Sequence, residues 1–157
     1  MKKSIFIIAL LSLSYAVMAQ SDRAELEMIQ SVFGMEKKAI VADFIQLEGA
    51  QADAFWKLYD EYEIERKELG KRRIALLETY AKNYPTLDDD TAEEILDEMI
   101  SLQNSNDKFI TTYTKKIKKE VGVKPAAQFL QIEVYLMSKI RTEILGSIPL
   151  IRDLENL

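Results

Sequence analysis

Apolar residues recur at three- and four-residue intervals along nearly the whole chain, the spacing that lines one face of an α-helix. No stretch alternates with the two-residue period of a strand, and no repeat or low-complexity segment interrupts the pattern. Glycine and proline are rare, five and three in 157 residues, and they fall where the periodicity breaks. The pattern predicts a first helix from about Asp22 to Phe44, with Leu26, Ile29, Phe33, Ile40 and Phe44 on one face and a break or bend at Gly34. A second runs from about Gly49 to Asn83, where Phe55, Tyr62, Leu69 and Leu76 recur every seventh residue, flanked by Leu58, Tyr59, Leu77 and Tyr80. Pro85 ends it, because proline has no N–H for the helix and restricts the residue before it.

The segment 86–90 then offers several N-cap residues, and Asp90 with Glu93 has capping-box spacing. The third helix is predicted to run to about Val121, presenting Ile95, Met99, Leu102, Phe109, Tyr113 and Ile117. Gly122 suits its C-terminal cap, and Pro125 suits the first turn of a fourth helix. That helix buries Phe129, Ile132, Leu136, Ile140 and Ile144, and closes at Gly146 and Pro149.

The length of the second helix sets the architecture. About 35 residues at 1.5 Å each make roughly 50 Å, whereas a compact domain of this size is about 37 Å across. We therefore expect an all-α, elongated antiparallel four-helix hairpin or cradle. Helix surface left uncovered in such a shape serves client binding, dimerisation or both.

Several residues break the apolar stripes or crowd them. Phe55, Trp56, Tyr59 and Tyr62 pack four aromatics into about a turn and a half. Core packing accounts for most of them, yet Trp56 lies off the main stripe, on a line with Gly70, Leu77 and Tyr84 that could form a dimer seam or contact face. Phe55, Trp56, Tyr59, Tyr62 and Leu77 are the candidate protein-binding residues. Arg66 and Arg73 interrupt the line between Tyr59 and Tyr80. A hairpin turning near Pro85 sets Arg66 close to Asn106, which interrupts the third helix's stripe as Glu133 interrupts the fourth's. A polar layer of Arg66 with Asn106 or Asp107, and with Glu133, is the expectation; independent solvation of these side chains is the alternative. Such a layer fixes register more than it adds stability.

The two ends and the composition narrow the function. Lys2 and Lys3, the apolar run from Ile5 to Leu13 and Val17-Met18-Ala19 read as a signal peptide cleaved after Ala19. The run is too short for a good membrane span, and no Cys follows it for lipid attachment. The expected product is one periplasmic domain, residues 20–157. The chain carries a net charge of −5, and loss of Lys2 and Lys3 makes it more acidic. That charge disfavours nucleic acid, whose phosphates are held by Lys and Arg. Histidine and cysteine are both absent, which removes His-dependent triads, His/Cys zinc sites and Glu-x-x-His di-iron sites. No cofactor is expected and no enzyme activity, a carboxylate-only enzyme being the remaining formal alternative. The acidic runs 88–90 and 93–94 lack the ligand spacing and glycine of a calcium loop; they suit a helix N-terminus, as Lys115, Lys116, Lys118 and Lys119 suit a C-terminus.

Leu47-Glu48-Gly49-Ala50-Gln51, followed by Ala54-Phe55-Trp56 and Tyr59-Asp60-Glu61-Tyr62, resembles the Leu-Thr-x-x-Gln helix start of the Spy/CpxP-like periplasmic proteins. The likeness is strongest to a Bacteroidetes-type branch, with proteins described as sensors of ECF-type sigma factors, where a Phe-Trp pair follows that motif. The segment from Lys124 to Glu133 is similar to that branch's second signature, and Ile148-Pro149-Leu150 to its C-terminal end, so the likeness spans Met35 to Ile151. It implies an all-α cradle, commonly a homodimer. It implies ATP-independent chaperoning of unfolded envelope proteins, or a regulatory sensor docking a kinase or anti-sigma factor. Glu48 replaces the motif's threonine, and the absence of histidine leaves the metal sensing of some relatives without support.

Overall fold

The computed structural model describes residues 36–149, apart from the side chain of Ser147. The chain divides into two compact units, 1–40 and 41–157. The expected signal peptide and most of the expected first helix lie outside the described residues. Of the first unit, residues 36–40 are described; they are helical, with Lys37 buried and Ile40 exposed.

Everything described is helix, turn or short connection, so the all-α class holds among the described residues. The helix α1 covers 36–44, and α2 runs Gly49–Asn83, the span its apolar period and Pro85 predict. A 3-10 turn, Tyr84–Thr86, leads into α3, Asp89–Glu120, and α4 follows as Val123–Ser147. The N-cap of α3 is Asp88, whose side chain accepts from the Thr91 N–H. This corrects the expectation of a box built on Asp90. The chain is already helical at Asp89, so the earlier aspartate is the one in extended conformation beside the free N–H groups. Gly146 likewise lies inside α4 rather than closing it. The helix ends at Ser147, because Ile148 is extended before Pro149.

Only two residues separate α3 from α4, and Gly122 makes that possible. Its φ of 137° is open to glycine and strained for any side chain. The N–H groups of Val121 and Gly122 both turn back to the Ile117 carbonyl, closing α3 before α4 starts. The corner is pinned from α2: Gln51 Nε2 donates to the Val121 carbonyl at 3.2 Å. Gln128 Nε2 donates to the Phe44 carbonyl at 3.3 Å. At 1.5 Å per residue the 35 residues of α2 span about 52 Å.

The core of the second unit lies at this corner end. Phe55, Tyr59, Tyr62, Ile117 and Phe129 are wholly buried there with Val41, Ile45, Tyr113 and Val121 beside them. Tyr62 is its centre: it stacks on Phe109 at 4.9 Å and meets Phe129 and Tyr113 edge-on at 5.1 and 5.4 Å. Tyr59 continues the set towards Phe129 at 6.4 Å. Ring pairs in these geometries contribute about 0.5–1.5 kcal/mol each beyond their area. They also bridge α2 to α3 and α4 where smaller side chains would not reach.

Candidate functional site

Two polar features interrupt the apolar interior, one on each side of Arg66. Nearer the corner, Glu133 of α4 is wholly buried, and the Tyr62 hydroxyl donates to its Oε2 at 2.7 Å. Arg66 lies in the same neighbourhood, where the Glu133 charge acts on it, and it forks onto Glu63 with two bonds of 2.9 Å. Burial opposes the Arg66 charge, but the bond and charge of Glu63 outweigh it and hold the pKa above the ordinary arginine value. Burial first, then the Glu63 and Glu133 charges, pushes the Tyr59 hydroxyl pKa up; burial and then Glu133 does the same for Tyr62. This is a structural device: the Tyr62 phenol and the Glu133 carboxylate share a hydrogen bond inside the core.

Of the expected polar layer, Arg66 and Glu133 each bond to a residue of α2, Arg66 to Glu63 and Glu133 to Tyr62, and the Glu133 charge acts on Arg66. Asn106 is buried on α3. Asp107 is a correction: it faces outward and accepts from Gln103 of its own helix at 2.9 Å, so it belongs to the surface. The acidic partner of Arg66 is instead one turn away on the same helix, an i,i+3 pairing that needs no hairpin partner.

The candidate contact residues divide in the same way. Phe55, Tyr59 and Tyr62 have 0 % exposure, so in this fold they offer no surface; their spacing records the core. Trp56 is half-buried, edge-on to Phe55 at 5.1 Å and to Tyr59 at 5.5 Å. Only Leu77 stands at an opening.

That opening is a groove of about 640 Å³ at the far end of the helices. Leu76 and Leu77 of α2, Ile95 and Leu102 of α3, and Ile144 of α4 with Ile148 after it form its apolar walls. Tyr80 closes one side, its hydroxyl donating to the Pro149 carbonyl at 2.6 Å and tying the chain after α4 to α2. Met99 and Leu145 line the groove and remain half exposed. Its polar groups are Gln103, Arg73 of α2 and Arg141 of α4; among the described residues no acidic side chain lines it. Burial lowers the Arg73 pKa, and the positive charges of Arg141 and Arg66 lower it further. Neither Arg73 nor Arg141 makes a hydrogen bond or ion pair. Arg73 is the second of the two arginines that interrupt the Tyr59–Tyr80 line.

Comparison with family models, with curated proteins and with solved structures gives no match. The site therefore rests on its own geometry. Among the described residues no group of three or more acidic side chains is placed to hold a metal ion. No described helix is long and apolar enough to cross a membrane.

The outer faces of α3 and α4 carry a second apolar set. Leu96, Met99 and Ile100 project from α3, and Leu130, Val134 and Tyr135 from α4, each between 40 and 56 % exposed. Ile64 of α2 is exposed as a single residue among charges. Single exposed apolar residues are ordinary, whereas neighbours one turn apart on one helix make a patch.

Proposed function

We propose that this chain is an exported, periplasmic, non-catalytic protein that binds other proteins through the outer faces of α3 and α4. Its action is chaperone-like and independent of ATP: weak, reversible contact with apolar segments of unfolded envelope proteins. The observation that carries this reading is the pair of outward apolar sets, Leu96, Met99 and Ile100 on α3 and Leu130, Val134 and Tyr135 on α4. Burying six such side chains against a partner removes enough apolar area to hold an extended segment, at about 25 cal/mol per Å². The resemblance of the segments 47–62 and 124–133 to Spy/CpxP-like proteins supports the same reading. So does the cradle such proteins form, commonly as a homodimer.

The purified chain, mixed at stoichiometric amounts with several unrelated unfolding proteins, is expected to delay their light scattering. Leu96→Glu with Val134→Glu is expected to abolish the delay while leaving helix content unchanged. Failure of the unaltered protein to delay any of them contradicts general chaperoning. Tight binding of a single envelope signalling protein would then replace it with a sensor's role.

A further inference from the structure

The groove at the far end has a composition that the outer faces lack: apolar walls, two arginines and, among the described residues, no carboxylate. We propose that it is a binding site for a single-chain aliphatic carboxylate, the chemistry of a fatty acid, with the hydrocarbon along Leu77, Leu102 and Ile144 and the carboxylate between Arg73 and Arg141.

Three observations choose this occupant. The first is charge. Arg73 and Arg141 stand on facing helices with no acidic partner, in contrast to Arg66 and Arg72, which fork onto Glu63 and Glu98. Two guanidiniums held close without a counter-charge repel, and an anion between them removes the repulsion and gains charge-assisted hydrogen bonds. The second is what the walls do not supply. A polypeptide laid in the groove brings an N–H and a C=O at every residue, and those lose water on burial. The two arginines can donate to carbonyls, but for the N–H groups the walls offer the Gln103 amide oxygen and little else, because an arginine has no acceptor and the Tyr80 hydroxyl is already given to Pro149. A hydrocarbon chain asks for no partners. The third is the charge of the remainder. The chain is acidic overall, at −5, so an acidic polypeptide is repelled beyond the groove, whereas a fatty acid carries its one charge at the arginines and none elsewhere. The volume of about 640 Å³ lies within the range of small-molecule sites. The two forks suit a flat carboxylate; among the described residues no lysine, free hydroxyl or helix N-terminus lines the groove to take a third phosphate oxygen.

The test is calorimetric titration of the purified chain with four probes sharing one alkyl tail: dodecanoate, dodecanol, dodecyltrimethylammonium and dodecyl phosphate. We expect dodecanoate to bind saturably, one per chain, at least about tenfold more tightly than the alcohol or the cation, as one good charge-assisted contact provides. Arg73→Gln with Arg141→Gln is expected to bring dodecanoate to within about twofold of dodecanol. Circular dichroism is expected to stay unchanged, since neither arginine holds a bond in the fold. Should the double variant lose its helix content, R141Q alone, at an exposed position, is expected to cut the preference by more than half. Absence of saturable binding, equal affinity for acid and alcohol, or a preference that survives both substitutions overturns the proposal. Tighter binding of dodecyl phosphate than dodecanoate overturns the carboxylate class. Weakening by R73Q/R141Q of the hold on a reduced, carboxymethylated protein, with dodecanoate unbound, makes the groove a polypeptide site instead.

Discussion

The same three helices build a sealed end and an open one. At the corner end, α2, α3 and α4 face one another with Phe55, Tyr59, Tyr62, Tyr113 and Phe129, and rings of α2 meet those of both α3 and α4. At the far end the corresponding positions are Leu76, Leu77, Leu102 and Ile144, with Arg73 and Arg141, and about 640 Å³ stays open between them. Helix spacing follows the side chains that fill it. Rings at one end keep the gap filled; aliphatic chains and cations at the other do not. The polar groups diverge in parallel. At the sealed end the Glu133 carboxylate takes the Tyr62 hydroxyl and Arg66 is forked by Glu63. At the open end both arginines lack such a partner. One end is built to hold together and the other to receive.

The widest contrast is expected from truncating one side chain at each end. Phe129→Ala should cost about 3–5 kcal/mol, because the cavity is walled by rings that cannot collapse into it. Leu77→Ala should cost about 1 kcal/mol, since a half-buried side chain on an open wall has less to lose. Urea denaturation of both variants measures the difference, and equal costs would erase the distinction between the ends.

A smaller effect sharpens the chemistry of the sealed end. Tyr62→Phe leaves Glu133 buried without that donor and should cost about 1–3 kcal/mol. It should also change the pH profile. The Tyr59 and Tyr62 hydroxyls hold their protons above the ordinary tyrosine range, chiefly through burial and then through neighbouring carboxylates. The unfolded chain loses those protons near pH 10, so above that point it binds fewer protons than the native state. Stability is therefore fully present below about pH 10 and falls as pH rises further. Midpoints measured from about pH 8 to about 11 should drop, and the Tyr62→Phe variant should drop less steeply.

The smallest expected effect belongs to the open end and has the opposite sign. Arg73→Leu removes a half-buried cation that Arg141 and Arg66 repel. Its thermal midpoint should rise slightly, by the equivalent of at most about 1 kcal/mol. A clear fall would mean that Arg73 stabilises the fold rather than waiting for an anion.

Helix extents were legible because each rests on local chemistry. Pro85 and the seven-residue recurrence of Phe55, Tyr62, Leu69 and Leu76 define α2, and Gly122 marks a corner that only glycine fits. The cap of α3 lies within the 86–90 candidates but two residues before the Asp90 of the expected box, since three successive aspartates offer the same side chain and only the backbone decides among them. The aromatic cluster carried two meanings at one spacing. The spacing of Phe55, Tyr59 and Tyr62 favours core over contact surface, and their burial decides for the core. Arg66 and Arg73 stand out alike in sequence, yet one has a carboxylate within reach and the other does not. That difference is local: the residue three before Arg66 is Glu63, whereas the one three before Arg73 is Gly70 and its other neighbours one turn away are leucines. The bonds of Gln51 and Gln128 at the corner were invisible, because a glutamine's partner 70 or 84 residues away leaves no periodic trace.

Native-state hydrogen exchange tests the central contrast most directly, since it reads the opening of each helix end in one experiment. Amides at 55–62, 110–117 and 126–133 are expected to exchange only on global unfolding, while those at 73–80, 95–102 and 141–146 exchange at least about tenfold faster. Uniform protection along the three helices, or slower exchange at the groove end, would contradict a molecule sealed at one end and open at the other.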